Sequence, residues 1–156
     1  MAKIEDEITT EVDSTNIDRV SAADVTEIIK GLNNPSSGFY SSIKSEDFDA
    51  RLVIAAALTS SIPIEDNLDK PIALADFIVQ PVQFAGEDGT IDTSPRVILI
   101  DDDGVAYHAT SIGLLTALKN IVSVLGEPLA WSKPVNIRVV KEKGNRGFSF
   151  FTIKFN

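Results

Sequence analysis

The chain has 156 residues, no cysteine and a net charge of −9. That length suits one domain with a small appendage, the lack of cysteine excludes disulfides and thiolate metal sites, and the acidity weighs against a general polyanion-binding surface. The distribution qualifies the last point, because residues 133–156 hold Lys133, Arg138, Lys141, Lys143, Arg146 and Lys154 against Glu142 alone. A polyanion is welcome only there, although the same asymmetry fits acidic and basic parts pairing with each other.

Residues 1–20 are acidic, rich in Ser and Thr and poor in aromatics, which predicts a disordered tail. Residues 21–66 read as a helical region. Ser21 and Asp24 form a variant capping box, and Val25, Ile28, Ile29 and Leu32 follow at helical spacing before Asn33-Asn34-Pro35 ends the helix. Residues 36–44 read as a loop anchored by Phe39, Tyr40 and Ile43. Ser45 is placed to cap a second helix over 46–59, with Phe48, Leu52, Ile54, Ala55 and Leu58 as its packed stripe. Pro63 and the acidic run Glu65 to Asp69 make a connector.

Residues 67–156 form the principal domain. Ile72 to Phe84 is a long β-rich run in which Pro81 implies a bend, an edge or a bulge. Gly86 to Gly89 is a turn, Arg96 to Ile100 a strand, Asp102-Asp103-Gly104 a hairpin tip, and Val105 to Thr110 the return strand. Ser111 caps a helix in which Leu114, Leu115, Leu118, Ile121, Val122 and Leu125 recur at threes and fours, and Gly126 stops it. Trp131 lies in a loop between Pro128 and Pro134. Val135 to Val140 alternates, Lys143 to Gly147 is a basic turn, and Phe148 to Phe155 is the last strand.

Strand, strand, strand, helix, strand, strand is the chain order of the OB-fold. The fold expected is therefore mainly β with helices: an OB-fold-like five-stranded barrel, closed at one end by its helix and preceded by the N-terminal helical region. Two hairpins in an open sheet covered by helices are the other arrangement the pattern permits.

Residues Arg96 to Asp101, Asp103-Gly104, Tyr107 to Gly113, Leu118 to Ile121, Gly126-Glu127-Pro128, Trp131 and the basic final hairpin together resemble the small single-stranded DNA-binding proteins of tailed phages that infect Gram-positive bacteria. The resemblance covers roughly residues 68–156. It implies sequence-independent coating and protection of single-stranded DNA during phage genome replication in the host cytoplasm, without catalysis and with no cofactor. The phage DNA polymerase or other replication proteins are the further partners it suggests. The acidic segment stands at the amino end of this chain, while the carboxyl end stops in a strand.

Binding single strands without sequence preference takes cations along the phosphates and aromatic faces under the bases. Alternation along the last strand sends Phe148, Phe150, Thr152 and Lys154 to one side and Ser149, Phe151, Ile153 and Phe155 to the other. The second set is the better core face, which leaves Phe148 and Phe150 as a stacking pair beside Lys154. If the N-terminal helices cover that face, the pair is core instead. Lys141, Lys143 and Arg146 in the final hairpin are the best phosphate contacts, with Arg138, Arg96 and Lys154 beside them. Tyr107 belongs to the usual OB-fold ligand strands and divides between stacking and core. Trp131 stacks on a base or locks its loop.

His108, without a nearby nucleophile motif or cysteine, reads as structural or simply exposed. Asp101-Asp102-Asp103-Gly104 lacks the alternating ligands of a calcium loop and reads as a hairpin tip, so no metal site is expected. No apolar run of membrane-spanning length and no secretory leader is visible. The rival function is a protein-interaction module that docks a viral replication or structural protein. The opposed charge of the chain ends suggests that residues 1–20 compete with DNA for the basic segment. Deleting them should tighten oligo-dT binding at low salt, and unchanged affinity would discard the idea.

Overall fold

The computed structural model describes residues 38–156. The expected acidic tail and the helix beginning at Ser21 lie outside them. The described chain is mainly β: seven strands in one curled, half-barrel sheet, with a helix on each face. The elements are β1 (Tyr40–Ser41), α1 (Phe48–Ser60), β2 (Ile62–Pro63), β3 (Pro71–Ala85), β4 (Ile91–Asp101), β5 (Ala106–Thr110), α2 (Ile112–Leu125), β6 (Val135–Lys143) and β7 (Ser149–Phe155). The sheet runs β2-β5-β4-β3-β6-β7, and β1 pairs with β3 outside that path. This is compatible with an OB-like fold. The five strands and the helix expected after residue 67 are present in the expected chain order, as β3, β4, β5, α2, β6 and β7. Two points differ: the region expected to be helical adds the two short strands β1 and β2, and among the described residues no ladder joins β5 or β2 to β7 to close a barrel.

The helix after β5 explains the opening. Ser111 Oγ accepts the Leu114 N–H, and Gly126, at a φ of 79°, ends α2, so both ends follow from cap chemistry. Leu114, Leu115, Leu118 and Ile121 face inward and meet Ile72, Leu74, Phe77, Val79, Val97, Leu99, Ile137 and Val139 inside the curl. The start of α2 lies against β7: a Cβ on Gly113 would stand 2.5 Å from the Phe151 carbonyl oxygen. The helix thus occupies the ground a closing ladder would need, and it screens a free strand edge. The stretch Ile112–Ala130 is long and apolar enough to cross a membrane by length and composition, contrary to the sequence expectation, yet its inner face is the core of this fold.

The other face of β3, β4 and β5 holds a smaller cluster of Ile78, Ile98, Ile100 and Ala106. It packs with Ala57, Ile54 and Leu58 of α1 and with Phe39 and Ile43. The expected α1 stripe is only partly used, since Phe48 and Leu52 are exposed and Ala57 is the one buried residue of the helix. Its N-cap is Asp47, not Ser45. Asp47 accepts the Ala50 N–H while Ser45 bonds to Asp47, and these bonds hold the Asp47 carboxyl below the usual carboxylate range. The connector after α1 contributes β2, parallel to β5, and a short 3-10 turn, Ile64–Asn67, that buries Ile64.

The bulge in β3 falls between Leu74 and Asp76. Pro81 pairs with Pro95 in regular register, and the ladders on the other side of β3 stop at Val79, so of the expected alternatives Pro81 meets an edge. Residues 36–44 are not all loop, because β1 docks beside that bulge. Ser42 Oγ accepts the Phe77 N–H at 2.8 Å and donates to Asp76 at 2.9 Å. Ser42 is buried, and burial raises the Asp76 pKa against the lowering effect of this bond. Tyr40 is buried, and its hydroxyl donates to Glu127 after α2. One short segment thereby ties β3 to the far end of the helix.

Two outcomes follow from these ties. Ser42→Ala leaves the Phe77 N–H without its side-chain partner and should cost about 1–3 kcal/mol, read as a lower denaturation midpoint with an unchanged slope. No change would mean that β1 is not bound as described. The second concerns His108, whose Nδ1 lies 2.7 Å from Ser61 Oγ. Burial, then the nearby Arg96 charge, lowers its pKa, so the neutral ring is favoured in the fold. Its contribution to stability is complete above the unfolded value of about 6.5 and is lost as pH falls from there through the lower folded value. NMR titration should place the His108 midpoint below about 6.5, and a midpoint at or above that value contradicts the packing.

Candidate nucleic-acid interface

Alternation of large apolar and polar residues fixes which way each side chain of the last hairpin points. Val139 pairs with Ile153 and Ile137 with Phe155 on the inner face, where Val139, Ile137 and Ile153 are buried. Arg138 pairs with Lys154, Val140 with Thr152, and Glu142 with Phe150, so these six side chains share the outer face. Phe155 does not join the core as expected: it is 59% exposed at the end of its strand.

The rings expected to be open are open. Phe148 is 71% exposed and Phe150 is 40% exposed, and α1 packs elsewhere. Phe150 lies against the hairpin tip, where a Cβ on Gly144 would come within 3.3 Å of its ring. Gly144 has a φ of −89°, which any residue adopts, so glycine serves here by leaving room for the ring. Gly113 approaches the other side of Phe150. The ring is thus held between the tip of one hairpin and the start of α2, with its remaining surface in solvent.

The cations are less free than the rings. Arg138 is bound to Asp69 and, through Nε at 2.8 Å, to Asn156. Lys154 lies 3.2 Å from Glu142, and Lys141 lies 3.0 Å from Glu65. Lys141 also stands 5.7 Å from the centre of the Phe151 ring, which puts it on the inner side, opposite Phe150. Lys143 is exposed without an ion-pair partner among the described residues, and Arg146 sits in the 3-10 turn at the tip, Asn145–Gly147. The local potential is therefore weaker than the segment charge of +5 suggests. The acidic partners come from the connector and from β6, and the Glu65–Asp69 run is the sequence signal for Asp69 and Glu65.

The remaining candidates are engaged in holding the fold. Arg96 is on the face covered by α1, where it donates to Ser61 Oγ at 3.2 Å, Gln80 at 3.3 Å and the Leu58 carbonyl. The helix therefore covers much of the outer surface of β4 and β5, the usual ligand strands of an OB-fold. Tyr107 packs against the inner core as a half-buried side chain. Burial raises its pKa, and the Asp101 charge raises it further. Trp131 donates from Nε1 to the Gly126 carbonyl at 2.8 Å and packs on the same core, so it fastens the turn after α2.

The Asp101, Asp102 and Asp103 carboxylates converge, yet Asp101 accepts the Asp103 and Val105 N–H groups at 2.9 Å. That is the chemistry of a hairpin tip. The Ser61 and His108 contact has the distance of a nucleophile–base pair, but Arg96 donates into the same hydroxyl. The trio joins the end of α1 to β4 and β5.

An open pair of phenylalanines at a basic hairpin tip, on a curled β-sheet with one helix in its mouth, suits a ligand with flat faces and a charged backbone. A family model described as phage single-stranded DNA-binding protein matches residues 33–156. No curated protein and no solved structure matches. With most of its length covered by that match, the chain belongs to the phage single-stranded DNA-binding protein family.

Proposed function

We propose that the protein, which binds single-stranded DNA in phage replication, takes the strand across the outer face and tip of the β6–β7 hairpin. Bases stack on Phe148 and Phe150. Phosphates meet Lys143 and Arg146 at the tip and Arg138 and Lys154 along the face, while Lys141 reaches the strand only at the rim. Stacking accepts any base because every base has a flat face, so the binding is independent of sequence and the protein acts by coating rather than by catalysis. It works in the cytoplasm of a Gram-positive host.

The observation that carries this reading is the exposure of Phe148 and Phe150. A buried pair would leave no stacking surface on this hairpin. Arg96, Tyr107 and Trp131 have secondary parts at most, since each is committed to packing or hydrogen bonds within the fold. The rival reading, a module docking the phage polymerase or another viral protein, draws on exposed apolar side chains at Phe48, Leu52, Val124 and Leu129.

Phe148→Ala and Phe150→Ala should each weaken binding to dT oligomers by about 1–3 kcal/mol, with thermal stability nearly unchanged for Phe148→Ala, whose ring is open, and somewhat lowered for Phe150→Ala, whose ring packs beside Gly144 and Gly113. Oligo-dT affinity should also fall with salt, at a logarithmic slope near −0.7 for each phosphate contact. Wild-type affinity for both alanine variants would remove the stacking role. No binding even at low salt would favour the docking module.

A further inference from the structure

We infer that Asp69 and Glu142 act as phosphate surrogates that limit the protein's affinity for single-stranded DNA and flatten its salt dependence. The inference rests on the outer hairpin face being the DNA path. On that face the two cations carried by the strands are already held by carboxylates: Arg138 by Asp69, and Lys154 by Glu142 at 3.2 Å. Glu142 is also the direct cross-strand neighbour of Phe150. A phosphate arriving beside a base stacked on Phe150 meets an occupied cation and a nearby negative charge.

Binding then becomes an exchange. The phosphate takes the cation, and the carboxylate is released to water with its charge unpaired. Both pairs are part-exposed, with the side chains of Arg138 and Asp69 at 35% and 67% and those of Lys154 and Glu142 at 50% and 43%. Exposed pairs are weak, so DNA can displace the carboxylates. Each exchange also changes the ion count. A phosphate contact releases a cation from the DNA, while the freed carboxylate attracts one, so the net release per contact shrinks. The protein thus holds strands less tightly, and with less sensitivity to salt, than its set of cations would suggest.

The Lys141–Glu65 pair supplies an internal control. It is of the same kind, at 3.0 Å, but Lys141 belongs to the inner face. Asp69→Asn suits the test because Asp69 has a φ of 60°, a conformation asparagine also adopts. Glu142→Gln and Glu65→Gln keep side-chain length and remove the same single charge.

The experiment measures dT-oligomer affinity of the full chain across a salt series for the three single variants and the Asp69→Asn/Glu142→Gln double variant. Each outer-face variant should bind about two- to fivefold tighter at low salt and the double variant about tenfold tighter. The double variant's logarithmic salt slope should steepen by about 1, with Glu65→Gln tightening binding by less than about twofold, since Lys141 meets the strand only at the rim. Equal tightening by Glu65→Gln would reduce the effect to net charge and overturn the inference. Unchanged or weakened binding of the double variant, with its melting temperature intact, would overturn it too. Failure of the DNA path itself would appear separately, as wild-type affinity in Phe148→Ala and Phe150→Ala.

Discussion

The wedge of α2 against β7 is the constraint on which the site depends. Gly113 brings the helix backbone so near the Phe151 carbonyl that a single methyl group would collide with it. Because the helix fills that ground, β5 and β7 stay apart and β7 remains the last strand of the sheet. An outermost hairpin with a short tip can present aromatic side chains that a closed barrel flanked by further strands would bury. The core inside the curl stabilises the wedge, since the same helix supplies Leu114, Leu115, Leu118 and Ile121 to it.

The second helix works by subtraction. By packing on Ile78, Ile98, Ile100 and Ala106, α1 covers much of the face of β4 and β5 that OB-folds commonly offer to oligonucleotides. Arg96 is consequently a structural arginine that ties α1 to the sheet. The uncovered candidates cluster at the β6–β7 hairpin. Negative charge is also distributed with effect: carboxylates of the connector and of β6 sit on the basic residues that the sequence shows as a free patch.

Elements with strong local signals were legible in the sequence. Ser111 and Gly126 bound α2 because caps act within a few residues, and the period-two pattern of the last hairpin correctly sent Phe148 and Phe150 outward. What the sequence could not show was non-local. β1 and β2 have two residues each, too few for any periodicity, and exist because β3 and β5 offer them edges. The α1 stripe looked fully packed although Phe48 and Leu52 face solvent, since spacing reveals a face but not what covers it. Arg138 finds Asp69 and Lys141 finds Glu65 across 69 and 76 positions of chain. Composition hinted at such pairing without naming the partners, which is why the cations looked freer than they are.

The proposed path puts DNA on the outer face and tip of the last hairpin. Photo-crosslinking with a dT oligomer carrying 5-iododeoxyuridine, followed by mass spectrometry of the digested protein, tests it most directly, because the reactive base marks the ring it rests on. Adducts at Phe148 and Phe150 are expected. Adducts confined to Tyr107 or Trp131, with the hairpin unmodified, would contradict the proposed path.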